Sequence, residues 1–184
     1  MRACTHTYSL SFSPSGSLFL SLSTSLGFKR HVETRCPTTG QLVYEAIHSA
    51  FEWLPLGAVV GRSVLVLHGG IGDGSWSVAD LASVCRPIKE FDQEGVPACV
   101  YQALWSDPSD SDAEMAYGVH PNKARGDKVA PKAVLFGPDV TAKFCHRNRL
   151  QLVIRSHQFV RQGVKFMHGL HCICDANLCS SWCL

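Results

Sequence analysis

Two histidines occupy equivalent places in the sequence, each just after an apolar run that predicts a buried strand. In VLVLHGGIG (Val64–Gly72), four apolar residues precede His68 and two glycines follow it. In LQLVIRSH (Leu150–His157), a second apolar run ends at His157. The ends of neighbouring strands in an α/β sheet open onto a crevice, so the two side chains can meet there. Neutral imidazole is a ligand for Zn, Mn or Fe, and the pair is therefore a candidate for one shared metal ion.

The connection from Ser106 to Pro131 carries two further candidates. Arg125 presents a planar set of donors that fits two phosphate oxygens, and the following Gly126 permits close approach. Asp107 opens a turn-rich stretch, SDPSDSD. Irregular connections of this length inside a compact domain are usually functional or disordered. From residue types alone, structural histidines and a solvated arginine remain the alternatives to a joint metal and phosphate site.

Apolar periodicity and capping residues predict the elements that must position these side chains. Three- and four-residue spacing predicts an amphipathic helix, proline and aspartate predict the start of another, and Ser77 with Asp80 resembles a capping box. The predicted elements are a helix over Thr39–Leu54, a strand over Ser63–Leu67, a short helix from Ser77 through Val84, and a helix from Pro138 to about Arg149.

Composition limits the class of protein. The chain has 184 residues, 46% of them hydrophobic, which suits one domain with a real core. A net charge of +2 and a charged fraction of 17% give no reason to expect a nucleic acid or an anionic membrane as partner. No apolar run is long enough to predict a transmembrane helix.

Nine cysteines are distributed unevenly, with five scattered singly and four in the last 13 residues. Scattered cysteines without regular spacing are typical of a reduced protein, so we expect an intracellular (cytoplasmic or nuclear) location. Arg2 and the stretch Leu18–Leu26 have a faint signal-peptide shape, but serines interrupt the stretch and no A-x-A site follows.

Four stretches of the sequence follow one another with regular motif-like content: LPLGAVVGRSVLVLHGGIGD (Leu54–Asp73), LWSDPSD (Leu104–Asp110), NKARGD (Asn122–Asp127) and FGPDVTAKFCHRNRLQLVIRSHQFVRQG (Phe136–Gly163). In this order they resemble consecutive motifs of the C-terminal half of the PPP family of serine/threonine phosphoprotein phosphatases. The HGGIG, LWSDPS and N-x-A-R-G forms are most similar to the kelch-repeat-containing branch of that family. GFKRHVETR (Gly27–Arg35) is similar to the segment after the family's Gly-Asn-His-Glu motif, so the resemblance covers about Gly27–Gly169.

The resemblance implies roles for four residues. His68 and His157 correspond to two ligands of one metal in a dinuclear pair of Mn, Fe or Zn, although the second motif reads R-S-H rather than R-A-H. Arg125 corresponds to the arginine that contacts the substrate phosphate, and Asp107 to an aspartate that supports the site. In such a site two metals activate a bridging water for in-line attack on phosphorus, and arginine offsets charge on the phosphoryl oxygens. The implied partners are phosphoprotein substrates, carrying phosphoserine or phosphothreonine, and regulatory subunits.

The sequence also departs from the family pattern. Its first three motifs, Gly-Asp-x-His, Gly-Asp-x-x-Asp-Arg-Gly and Gly-Asn-His-Glu, occur nowhere in the chain. They supply the first metal's ligands, the bridging aspartate, the asparagine of the second metal and the general acid. We therefore expect at most one partial metal site and little or no activity. The expected fold is a partial calcineurin-like metallophosphoesterase, an α/β structure with a β-sandwich flanked by helices, lacking its N-terminal half and so exposing strand edges and an apolar sheet face.

The ends of the chain are predicted to be irregular. Residues 1–26 form a low-complexity lead-in, residues 27–169 the partial catalytic domain, and residues 170–184 a cysteine-rich tail in place of the family's next strand and Ser-Ala-x-Asn-Tyr-Cys-Gly motif. The alternative function is a non-catalytic fragment or a small zinc-binding module in this tail. Its candidate ligands are Cys172, Cys174, Cys179, Cys183, His168 and His171.

Overall fold

The structure of the chain is a computed structural model. It describes residues 28–88, 95–109, 117–123 and 133–175. Of the residues singled out in the sequence, Arg125, Cys179 and Cys183 lie outside the described residues, as does the lead-in 1–26.

The described residues form helices and short strands that follow one another in small groups. The helices are α1 (Phe28–Arg35), α2 (Gly40–Phe51), α3 (Val78–Ala82), α4 (Ala98–Trp105) and α5 (Pro138–Asn148). The strands are β1 (Gly57–Val60), β2 (Val64–Leu67), β3 (Asp107–Pro108), β4 (Val119–Pro121), β5 (Val134–Phe136), β6 (Leu152–Arg155), β7 (Val164–Met167) and β8 (Cys172–Asp175).

The strands form two sheets. The larger has the order β1-β2-β6-β8-β7, and the smaller has the order β3-β5-β4. In the larger sheet β6 pairs in parallel with both β2 and β8, whereas the outer pairs β1–β2 and β7–β8 are antiparallel. Because β2 and β6 run the same way, the residues that follow them emerge at one edge of the sheet.

The helices predicted from the sequence are present in α2, α3 and α5. The predicted capping box is also present, because the Ser77 hydroxyl accepts from the Asp80 backbone N–H and the Asp80 carboxylate accepts from the Ser77 backbone N–H. Helix α4 was not anticipated. All residues from Cys99 to Trp105 are buried, so the helix has no polar face and its sequence shows no amphipathic period.

The prediction of an irregular tail from residue 170 is wrong for Cys172–Asp175, which form β8 in the interior of the larger sheet. Cys172 and Cys174 alternate with more exposed residues and point to the buried side, as small apolar residues do in a half-buried strand. A strand is therefore present where the resemblance implied that the family's next strand had been replaced, and cysteines are its inward residues. The connection 106–131, predicted to be irregular, likewise contains β3 and β4.

The main core lies between the larger sheet and helices α3, α4 and α5. Leu65 and Val153 point inward from β2 and β6 and join Leu104 of α4 and Phe144 of α5 in one buried cluster. A smaller cluster below β7 and β8 contains Met167, Cys172 and Cys174 with Val160. Among the described residues, no helix combines the length and apolar character needed to cross a membrane.

Candidate metal centre

His68 and His157 lie side by side at one edge of the larger sheet. His68 directly follows β2, and His157 lies two residues beyond β6. Their ring centroids are 4.6 Å apart, and the backbone N–H of Ser156 donates to the His68 carbonyl at 3.1 Å. The Trp105 ring packs edge-on against the His157 ring at 5.5 Å. The parallel pairing of the two strands thus brings together the two histidines that the sequence singled out.

Ser156 also contacts the side chain of the first histidine. Its Oγ lies 3.2 Å from His68 Nδ1, within hydrogen-bonding distance. A hydroxyl that accepts from Nδ1–H leaves Nε2 as the basic nitrogen of that ring, which is the tautomer that a metal requires. The serine that distinguishes R-S-H from R-A-H therefore has a physical role, because it fixes the orientation of His68.

The histidine pair fits part of a metal coordination sphere. Nitrogen ligands lie about 2.0–2.1 Å from zinc, so two imidazoles that share an ion must be close neighbours, as these rings are. Protein-bound Mn, Fe and Zn need further ligands. Among the described residues, no group of three or more His, Cys, Asp or Glu side chains is placed to hold an ion. The described part of the chain thus offers two ligands rather than a complete site.

Asp107 is buried and forms an ion pair with Arg155, the last residue of β6. Its Oδ1 accepts from Arg155 Nη2 at 2.6 Å, and the two side chains are 2% and 0% exposed. Its Oδ2 accepts from the Asn122 side-chain amide at 2.8 Å. The carboxylate therefore links strand β6, which ends two residues before His157, to Asn122. In the sequence, Arg125 follows Asn122 by three residues. This position is compatible with the supporting role that the resemblance implies.

Arg155 is the site residue that the sequence analysis missed. Its Nε donates to the Gly69 carbonyl at 2.5 Å, and Nη1 donates to Gln158 Oε1 at 2.6 Å. Nη1 also lies 3.5 Å from Cys174 Sγ. One buried guanidinium therefore contacts the turn after His68, the turn that contains His157, and strand β8. The alternation of strand β6 could have identified this residue, because it places Arg155 on the same inward face as the apolar Val153. A buried charge at such a position needs hydrogen-bonding or charged partners.

Two glycines after His68 let the turn approach the end of α4. A Cβ on Gly69 would lie 2.4 Å from the Leu104 backbone carbon, and one on Gly70 would lie 2.4 Å from the Phe136 ring. The Gly69 N–H donates to the Ala103 carbonyl at 2.7 Å. Packing therefore explains why glycine follows His68 at both positions. A side chain at either position would overlap the Leu104 backbone or the Phe136 ring.

Asp73 follows the same turn and is anionic at neutral pH. Partial burial raises the pKa of its carboxyl, but hydrogen bonds from Ser75 and Gln102 together outweigh that effect and bring the pKa below its ordinary value. The Ser75 backbone N–H and hydroxyl donate to Asp73 Oδ1 at 2.9 and 2.7 Å. The carboxylate thereby stabilises the chain reversal between the His68 turn and α3.

The described candidates for a zinc site in the tail do not form one. Cys174 is held in β8 beside Arg155, and the buried His168 has Nδ1 2.8 Å from Thr141 Oγ1. The His171 Nδ1 lies 3.1 Å from the Gln151 carbonyl, so its ring is engaged elsewhere. None of these side chains belongs to a metal-competent group within the described ranges.

Comparison with known proteins identifies the family. The model of the calcineurin-like phosphoesterase family matches residues 28–161, the segment that contains both histidines and Asp107. The chain belongs to this family. Its fold agrees, since a Saccharomyces cerevisiae serine/threonine phosphatase with similarity to human phosphatase PP5 superimposes with a TM-score of 0.69 at 24% identity. That alignment covers 87% of this chain and 45% of the yeast chain.

Several relatives within this phosphoesterase family are serine/threonine-protein phosphatases. The chain is 38% identical over 131 residues to phosphatase BSL2 of Arabidopsis thaliana, covering 71% of this chain and 12% of the relative. It is 35% identical over 155 residues to phosphatase rdgC of Drosophila melanogaster, covering 77% and 22%. It is 32% identical over 142 residues to human phosphatase 5, covering 77% and 25%. The chain thus spans about a quarter or less of these proteins and corresponds to the C-terminal part of the domain.

Proposed function

We propose that this chain contributes one half of the catalytic site of a metal-dependent phosphoprotein phosphatase that acts on phosphoserine and phosphothreonine, and that it has little or no activity by itself. The observation that carries the proposal is the histidine pair: His68 and His157 lie together at the strand ends, yet the described residues provide no third ligand. Membership of the phosphoesterase family and the phosphatase relatives support the reaction class.

The two histidines would hold one ion of the dinuclear pair, with Mn, Fe or Zn as the expected metals. When bound, a metal pair supplies a water of lowered pKa as the nucleophile for attack on phosphorus. The residues of this chain provide the surroundings. Ser156 orients His68, Arg155 fixes the two turns relative to each other, and Arg125 would bind phosphoryl oxygens of the substrate. Phosphoprotein substrates, regulatory subunits and an intracellular location belong to the same proposal.

Phosphatase assays test the prediction of inactivity. We expect the purified chain, supplied with manganese, to hydrolyse a phosphoserine peptide no faster than its His68→Ala variant, because the ligands that would complete the metal pair are absent from the sequence. Hydrolysis well above that variant would show that the chain assembles a working site, and the proposal of a half site would then be wrong.

Metal titration tests the partial site without relying on activity. Isothermal titration with Mn²⁺ or Zn²⁺ is expected to show one weak site that both His68→Ala and His157→Ala remove. His31, exposed in α1, provides the matched control, and His31→Ala is expected to leave that site unchanged. Equal binding by all four proteins would place the metal elsewhere and refute the assignment.

The alternative is a zinc-binding or interaction module built on the tail, and it stays a prediction. Zinc content of the purified chain separates the two functions. Stoichiometric zinc that is lost in Cys174→Ser but kept in His68→Ala would favour the tail module. Zinc lost in His68→Ala alone would favour the phosphatase half site.

A further inference from the structure

Three neighbouring parallel strands of the larger sheet are each entered through a turn that contains a left-handed residue other than glycine. Arg62 (φ 66°) lies two residues before β2, Arg149 (φ 56°) three residues before β6, and Leu170 (φ 71°) two residues before β8. Because the three strands run the same way, these turns lie at one edge of the sheet, opposite the edge from which His68 and His157 emerge. The three left-handed residues define the entry edge of the sheet.

Hydrogen bonds join the three turns to one another. The Gln151 backbone N–H donates to the Ser63 carbonyl at 2.7 Å, which connects the turn of Arg62 to the turn of Arg149. His171 Nδ1 lies 3.1 Å from the Gln151 carbonyl and donates to it, since a carbonyl can only accept. That bond connects the third turn to the second. The entry edge is therefore one continuous surface rather than three separate turns.

The backbone at the entry edge does not favour the residues that occupy it. A left-handed conformation is unfavourable for a residue with a Cβ, and it is most unusual for a bulky side chain such as leucine. Glycine or asparagine commonly fills such positions in hairpin turns and after helices. A cation at the C-terminus of α5 favours that helix, which accounts for part of the choice of Arg149, but neither Arg62 nor Leu170 follows a helix. Residues held in sparsely populated backbone conformations cluster at functional sites, so these side chains indicate a use at the surface.

The side chains of the entry edge are available to a partner. Arg62 and Arg149 are exposed, and Leu170 is 68% exposed. Within the part of the chain that the structure describes, neither arginine side chain takes part in an ion pair or a hydrogen bond. The entry edge thus presents two guanidinium groups and an exposed apolar side chain. No acidic residue occurs in the sequence of the three turns, 60–63, 149–152 and 169–172.

We propose that the entry edge binds an acidic segment of a partner protein, with carboxylates paired to Arg62 and Arg149 and an apolar side chain packed on Leu170. A guanidinium group presents a planar set of donors that matches a carboxylate, so charge complementarity selects an acidic segment. The apolar neighbour favours a peptide over an inorganic anion. Two arginines are fewer than the basic clusters that hold proteins on anionic membranes. This binding needs neither a metal ion nor phosphatase chemistry, because the histidines lie at the opposite edge.

Fluorescence anisotropy with a labelled peptide tests the proposal. The probe carries two glutamates on each side of one leucine, and a comparison peptide has lysines in place of the glutamates. We expect the full chain to bind the acidic probe saturably and less tightly at high salt, and not to bind the basic peptide. Arg62→Asn/Arg149→Asn should weaken binding about tenfold, because two exposed ion pairs are lost. Asparagine tolerates a left-handed backbone, so the thermal midpoint of this variant should not fall. Leu170→Asn should weaken binding about threefold through loss of the apolar contact.

Control variants separate the entry edge from general charge and from the histidine edge. Arg35→Asn/Arg161→Asn removes the same charge from two exposed arginines elsewhere and should keep the affinity. His68→Ala should also keep it, even where that variant loses metal. Equal binding by Arg62→Asn/Arg149→Asn and the unmodified chain would overturn the proposal, as would a loss of affinity in either control. Absence of saturable binding, or binding to phosphatidylserine vesicles without binding to the acidic probe, would overturn it as well.

Discussion

Removal of the Arg155 charge is expected to cost more stability than any surface change in this protein. In Arg155→Met, the hydrophobic side chain replaces the buried stem but leaves the carboxylate of Asp107 without its cation. That carboxylate is 2% exposed and accepts from the Asn122 amide, so it stays buried after losing the guanidinium charge beside it. The Gly69 carbonyl loses the Nε donor at the same time.

The expected magnitude follows from these two losses. Breaking a buried ion pair by removing one partner costs about 3–5 kcal/mol, and a buried carbonyl left without a donor costs about 1–3 kcal/mol. Relaxation and water entry reduce the sum, so we expect a loss of about 4 kcal/mol in the free energy of unfolding. For a domain of this size each kcal/mol lowers the thermal midpoint by roughly 2–4 °C. The midpoint should therefore fall by about 8–16 °C.

Urea denaturation of a double-mutant cycle measures the effect. Asp107→Asn removes the opposite charge and keeps an acceptor for Asn122, so the double variant Arg155→Met/Asp107→Asn should recover about 1–2 kcal/mol of the loss predicted by adding the single variants. The exposed ion pair of Lys143 with Asp139 provides the control, and Lys143→Met should cost less than about 0.5 kcal/mol. A cost below about 1 kcal/mol for Arg155→Met, or strict additivity in the cycle, would refute the reasoning.

Three further predictions concern single positions, each checked by one measurement. Gly69→Ala should lower the unfolding free energy by about 3 kcal/mol, because the added Cβ would overlap backbone atoms of Leu104 and Trp105. Gly61 has open space around it, so Gly61→Ala should cost only about 1 kcal/mol, from the left-handed backbone conformation of that residue. Equal costs of the two variants in urea denaturation would contradict the packing argument. A backbone N–H hydrogen bond lowers the pKa of Asp139, so its contribution to stability is complete above the unfolded pKa of about 3.9 and is lost as pH falls through the folded pKa. Asp139→Asn should therefore flatten the fall in thermal midpoint below about pH 4. Burial raises the pKa of Cys145 to about 11, so iodoacetamide at pH 8 should modify the exposed Cys85 in the folded protein and reach Cys145 only in urea, as mass spectrometry would show.

The positions of the two histidines could be predicted because the signal is local. Each follows an apolar run, and a parallel sheet places the ends of neighbouring strands together, which the structure confirms with ring centroids 4.6 Å apart. Helices α2 and α5 could be predicted for the same reason, since their apolar spacing and first-turn residues are contained in the segment itself. Local patterns thus sufficed for the elements that carry the site.

The remaining features depend on distant contacts that no local pattern encodes. Helix α4 is buried on every side by elements from elsewhere in the chain, so its periodicity is lost. Strand β8 was not predicted because its cysteines indicated candidate zinc ligands in an irregular tail, and only pairing with β6 gives them the role of small core residues. The role of Arg155 could not be predicted because its partners Asp107 and Gly69 lie 48 and 86 positions away in the sequence.

The contacts of Arg155 also bear on how the proposed histidine site would bind a metal ion. The guanidinium joins the turn after His68 to the turn that contains His157, and the Ser156 N–H joins them again. These contacts involve only residues of this chain, so the two imidazoles are held together before any ion or partner arrives. A preorganised pair of ligands loses little conformational entropy on binding metal, whereas two imidazoles without carboxylates offer an ion less enthalpy and charge. In the proposed site, an incomplete ligand set should therefore weaken metal binding without disturbing the histidine geometry.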